Sequence, residues 1–115
     1  MHASYKRLLG HELATVAFYL DKFNYTQKDA ALTAAQTRLE YIRKKLLPVL
    51  ARSVAGMREF EELLNNAAQE YEEDKKTNIP LYPYAFIEQC IHKLHTLLSA
   101  DVTKNTPYKN PRDTF

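Results

Sequence analysis

Apolar residues recur at three- and four-residue intervals along most of the chain. The longest run goes from Leu32 to Tyr71, crossing Pro48 and containing a single glycine. That spacing gathers side chains on one face of an α-helix. Leu9, Leu13, Val16, Leu20 and Phe23 predict a first helix over about Ser4 to Phe23, with Lys6, Arg7, Glu12, Asp21 and Lys22 off its stripe. Gly10 lowers local helix propensity by up to ~1 kcal/mol and would allow a neighbouring helix to approach closely. Thr26 has the chemistry of an N-cap for the next helix, and Asp29 suits that helix's positive end.

Leu32, Ala35, Leu39, Ile42 and Leu46 continue the pattern in a second helix, whose end carries Arg43, Lys44 and Lys45. Pro48 interrupts it, because a proline removes an amide donor and presses on the preceding turn at a cost of about 3 kcal/mol. The phase nevertheless persists through Val49 or Leu50, Val54, Met57, Phe60 or Glu61, Leu64, Ala67 or Ala68 and Tyr71. A kink or a very short joint preserves phase better than a loop, so the pattern predicts a long central helix kinked or broken near Pro48. That helix should fade around Asp74 to Thr77. Asn78 to Pro83 reads as an extended connector into a last helix striped by Ile87, Cys90 or Ile91, Leu94 and Leu97 or Leu98. The expected fold is all-α, a small antiparallel bundle of three to four helices.

At 115 residues and 45% hydrophobic content, the chain can form one core without a metal or disulfide staple. The expected organisation is a single helical-bundle domain over 1–100. A polar segment over 101–115 then reads as a flexible tail with Tyr108 and Phe115 as anchors. No stretch is apolar enough to span a bilayer, and the start lacks the pattern of a secretory signal. The expected location is therefore cytoplasmic, although a protein exported without a signal would read the same way. Cys90 is the lone cysteine, so no intrachain disulfide and no paired thiolate ligands are available. No cofactor is implied.

Charge is divided unevenly. Residues 1–58 hold ten Lys or Arg and four Asp or Glu, for a net of +6, whereas 59–115 hold six and ten, for −4. A dipole of that kind orients a partner if the halves form different surfaces.

The segment Gly10-His11-Glu12-Leu13-Ala14-Thr15 resembles the phosphoacceptor helix of sensor histidine kinases, in which histidine is followed by glutamate and leucine and then usually arginine, threonine and proline. The resemblance implies His11 as phosphoryl acceptor and Glu12 as its assisting base. It covers only these few residues: Ala14 stands in place of the arginine and Val16 in place of the proline, and no glycine-rich nucleotide-binding segment follows. Glu88, His92 and His95 lie at helical spacing and form a candidate three-ligand metal patch, which competes with a plain polar helix face. Arg38, Tyr41, Lys44 and Lys45, with Arg52 as an extension, offer cations for phosphates and a ring for stacking, the elements of a nucleic-acid contact. The same face suits an acidic protein.

Tyr82, Tyr84 and Phe86, constrained by Pro80 and Pro83, form a second aromatic group at the entrance to the last helix. Tyrosines combine apolar area with a hydroxyl handle, as interfaces require. The leading expectation is a non-enzymatic protein–protein interaction or adaptor module, contacting its partner through Arg38, Tyr41, Lys45, Tyr82, Tyr84 and Phe86. The partner is expected to be another protein, acidic or a second copy. Nucleic-acid binding and phosphotransfer through His11 stand as the alternatives.

Overall fold

The computed structural model describes residues 2–105, and the side chains of 4–100. Five α-helical segments follow in order: α1 (His2–Thr26), α2 (Asp29–Tyr41), α3 (Leu47–Leu50), α4 (Met57–Glu70) and α5 (Tyr84–Asn105). A π-helical turn, Ile42–Leu46, fuses α2 and α3 into one bent helix. The architecture is thus an all-α bundle of four helices, the second of them kinked. Of the segment expected to be a tail, 106–115 lies outside the described residues, Tyr108 and Phe115 included.

The stripes become the core. Leu9, Leu13, Val16 and Leu20 of α1 meet Ala35, Leu39 and Ile42 of the bent helix, all buried. The two helices fold back on each other through a two-residue joint, Gln27 and Lys28. Gln27 adopts φ 57°, the left-handed conformation that commonly terminates a helix. This ends α1 at Thr26 and changes the expected role of that threonine. Its hydroxyl donates to the Lys22 carbonyl at 2.9 Å and accepts the Lys28 N–H at 3.2 Å. Lys28 occupies the N-cap position of α2 without a side-chain cap. Gly10 likewise departs from expectation, since a Cβ there would meet nothing within 4 Å.

Pro48 bends the chain before it breaks. In an unbroken α-helix its ring would press on the Lys44 carbonyl. The preceding turn instead widens, and the Leu47 N–H reaches the Ile42 carbonyl, five residues back. Pro48 then sits comfortably in the first turn of α3. The helix stops two residues later, at Leu50, and residues 51–56 turn the chain into α4. The central helix is therefore kinked near Pro48 and ended by a separate turn. The apolar phase survives because Val54 and Met57 are drawn into the core from the turn and from the start of α4. Packing, rather than helical continuity, preserves it.

Gly56 closes this turn at φ 84°, a conformation that costs other L-residues about 1–2 kcal/mol. Beyond α4, which ends at Glu70 rather than in the acidic run that follows, the connector folds on itself. Glu73 and Pro80 form an isolated antiparallel bridge, and the Leu81 N–H donates to the Glu72 carbonyl at 2.8 Å. Pro83 then introduces α5, which packs on α1 and α2. α4 rests instead on α3 and the π turn, and shares no extended contact with α5.

Candidate functional site

Gln36, Glu40 and Arg43 form a polar row beside the Ala35–Leu39–Ile42 stripe. Gln36 is 5% and Glu40 4% exposed. Arg43 clamps the Glu40 carboxylate through two hydrogen bonds, Nε to Oε2 at 2.6 Å and Nη2 to Oε1 at 2.7 Å. Its Nη1 donates to Asn65 Oδ1 of α4 at 2.9 Å. The Tyr82 hydroxyl donates to Glu40 Oε2 at 2.7 Å, and Gln36 Nε2 donates to the Tyr82 carbonyl at 2.9 Å. One row on the bent helix thereby fastens both the connector and α4.

Electrostatics make this cluster a fastening rather than a proton-exchange site. Burial opposes the charge on Glu40, but hydrogen bonds from Arg43 and Tyr82, together with the Arg43 and Lys44 charges, hold its carboxyl below the usual range. Burial, and then the bond to Glu40, push the Tyr82 phenol well above its ordinary value. The hydrogen bond with Glu40 likewise raises Arg43. Each group keeps its usual protonation near neutrality, whereas general acid–base catalysis needs a group poised to exchange. A polar hollow of about 530 Å³, lined by Arg43, Asn65, Gln69, Tyr71 and Glu73, lies beside the cluster.

The larger opening lies between α4 and α5. Two contacts mark the ends of their shared face. At one end Gly56 lies against Leu97, so close that an added Cβ would come within 2.8 Å of Leu97 Cδ2. At the other, Phe86 meets the Tyr71 and Tyr82 rings at centroid distances of 5.4 and 5.5 Å. Between them runs an open groove of about 1050 Å³ with Phe60, Phe86 and Cys90 among its lining and Leu63 half-exposed beside them. Glu59, Glu88 and Lys93 supply its charges. Burial pushes the Cys90 thiol up to about 12, which suits packing and not nucleophilic attack.

Comparison with protein-family models, with curated proteins and with solved structures finds no match. The reading of these sites therefore rests on their geometry.

The residues singled out by sequence are distributed over several surfaces. Tyr41 and Lys45 line a hollow of about 470 Å³ with Ser4, Tyr5, Leu8 and Leu46. Arg38 is turned toward Glu12, its Nη1 3.3 Å from Oε1. Glu12 is consequently buried and paired, while His11 beside it is exposed. The aromatic group before α5 is also divided. Tyr82 is fully buried, so its ring and hydroxyl serve the interior. Tyr84 packs on Phe23 and accepts a 2.7 Å hydrogen bond from Asn24 Nδ2, tying the start of α5 to the end of α1. Phe86 alone of the three lines the groove.

Among the described residues, no three His, Cys, Asp or Glu side chains converge in a way that could hold a metal ion. Glu88 and His92 line the groove, whereas His95 is exposed on α5 outside that lining. Nor is any helix among the described residues long and apolar enough to cross a membrane. Periodicity missed Glu40, because it reads a lone acid among helical residues as solvated. The available signal was Gln36, Glu40 and Arg43 at four- and three-residue spacing, parallel to the apolar stripe.

Proposed function

We propose that this chain is a non-enzymatic protein-binding module of the cytoplasm, and that the groove between α4 and α5 seats an amphipathic helix of its partner. The observation that carries this reading is the separation of α4 and α5 over an apolar floor, with Leu63 52% exposed at the opening. Helical bundles ordinarily close such seams with side chains. An apolar groove along such a seam suits an inserted helix whose anchors recur at three- and four-residue intervals. Phe86 then belongs to the contact surface, and Tyr82 supports it from behind through its stacked ring.

The test is capture of a partner by the wild-type chain and by Leu63→Asp, with circular dichroism confirming that the variant keeps its helix content. The expected result is a partner held by the wild type and lost by the variant. Undiminished capture by Leu63→Asp would place the contact elsewhere.

A second reading draws on the hollow that Tyr41 and Lys45 share with Tyr5, which pairs rings with a cation as single-stranded nucleic acid requires. It is the weaker one, since Arg38 is engaged by Glu12 and Lys44 lies 3.7 Å from Glu40. Salt-sensitive RNA binding lost in Lys45→Glu would favour it.

A further inference from the structure

The outer face of α1 is uncovered by the bundle. Arg7, His11, Ala14, Phe18 and Lys22 recur at helical spacing and are all exposed. Phe18 is 60% exposed and Tyr25, two turns further on, 92%. Isolated apolar residues at a surface are ordinary, but two large rings in register on an otherwise basic ridge form a docking face. None of these residues lines the groove between α4 and α5.

We infer that this ridge is the partner of that groove, so that α1 of one copy docks head-to-tail into the α4–α5 seam of the next. The inference rests on the groove being a protein-binding seat and commits to a second copy of this chain as its occupant. Charge favours the match: Glu59 and Glu88 outnumber Lys93 in the groove, while Arg7 and Lys22 outnumber Asp21 on the ridge. Length favours it too. The groove follows α5 from Phe86 to Leu97, about 16 Å at the helical rise. Arg7 to Lys22 spans about 22 Å, so the two cations overhang the ends while Ala14 and Phe18 lie over the apolar middle. Ala14 permits close approach, and Phe18 supplies the anchor for the space beside Leu63.

Ridge and groove are different surfaces, which makes the contact heterologous. Each docked pair leaves one ridge and one groove free, and assembly continues until a ring closes. A three-turn contact falls below the standard interface size, which places this association among the weak ones.

Sedimentation velocity on the full chain tests this directly. The expected result is a mass that rises with concentration and a dissociation constant at least about threefold weaker when salt is raised from about 0.05 to about 0.5 M. Phe18→Asp, which spoils the ridge, and Leu63→Asp, which spoils the groove, should each stay monomeric. Mixed together, they retain one intact ridge and one intact groove, and should form a heterodimer that grows no further. That rescue cannot come from unfolded variants. A wild type that stays monomeric throughout overturns the inference, as does a mixture that stays monomeric or a single variant that still assembles. If the monomeric wild type nevertheless captures another protein that Leu63→Asp loses, self-docking fails while the groove reading stands. Capture and assembly that both ignore Leu63→Asp remove the two together.

Discussion

The Tyr82 hydroxyl donates a 2.7 Å hydrogen bond to the carboxylate of Glu40, forty-two residues earlier in the chain. The connector is thereby fixed to the bent helix by a second bond beside that of Gln36, and Phe86, stacked on the same tyrosine, is held at the end of the groove. Tyr82→Phe keeps the ring and removes the donor. Hydrogen bonds to charged groups contribute about 1.5–3 kcal/mol, so the variant should lose about that much stability in urea unfolding. A double-mutant cycle with Glu40→Gln should return a coupling above about 0.5 kcal/mol. Strict additivity would mean that the bond contributes nothing.

Removal of Arg43 is expected to cost more. Arg43→Met preserves much of the stem but leaves the Glu40 carboxylate buried with only Tyr82 and a more distant Lys44. Breaking a buried pair on one side typically costs 3–5 kcal/mol, and the partial exposure of Arg43 places this variant at about 3. Chemical denaturation measures it, and a loss below about 1 kcal/mol would show that Lys44 or solvent compensates.

The same carboxylate sets a pH dependence. Its folded pKa lies below the ordinary value of 4.5, so the unfolded chain binds the proton more readily. The resulting stabilisation is complete above about pH 4.5 and is lost as the pH falls through the folded value. Stability should therefore drop more steeply with acid in the wild type than in Glu40→Gln. Parallel acid arms for the two proteins would contradict the assignment.

Gly56 is expected to resist substitution. Gly56→Ala imposes a side chain at φ 84°, and its Cβ approaches Leu97 Cδ2. The leucine tip can move aside, but the backbone conformation remains strained, which predicts a loss of about 1–2 kcal/mol by thermal or urea unfolding. A neutral effect would show that the turn at 51–56 relaxes.

Cys90 should resist alkylation near pH 8. It is 2% exposed, and its thiol is pushed up to about 12. Modification should accelerate sharply in denaturant; equal rates with and without denaturant would place the sulfur at the surface.

The helices were legible because burial imposes a period. Leu9, Leu13, Val16 and Leu20 are buried as their spacing requires, and Val54 remains buried even where the backbone is not helical. Their spacing reports contact with a shared core, which is why it runs straight through a proline and a turn without indicating either. The connector's anchor was harder to read. Tyr82 between two prolines has the composition of an exposed interface aromatic, and its partner Glu40 has that of a solvated charge. Only their meeting makes both internal, and no local pattern encodes a meeting across forty-two residues. The groove was illegible for a related reason: each of its walls is an ordinary amphipathic helix, and the opening exists only in the distance between them.

The π turn at Ile42–Leu46 acts as a change of reading frame within a single helix. One extra residue in a turn rotates everything beyond it by about 100°. Helical numbering that works from Asp29 to Tyr41 therefore cannot be carried to Leu47–Leu50. Arg43 reaches inward to Glu40 while Lys45, two residues on, shares a wall with Tyr41 and Tyr5. A one-residue deletion between Ile42 and Leu46 would restore an uninterrupted count and leave the later side chains near the positions they now fill, but it would set the Pro48 ring against the carbonyl of the preceding turn.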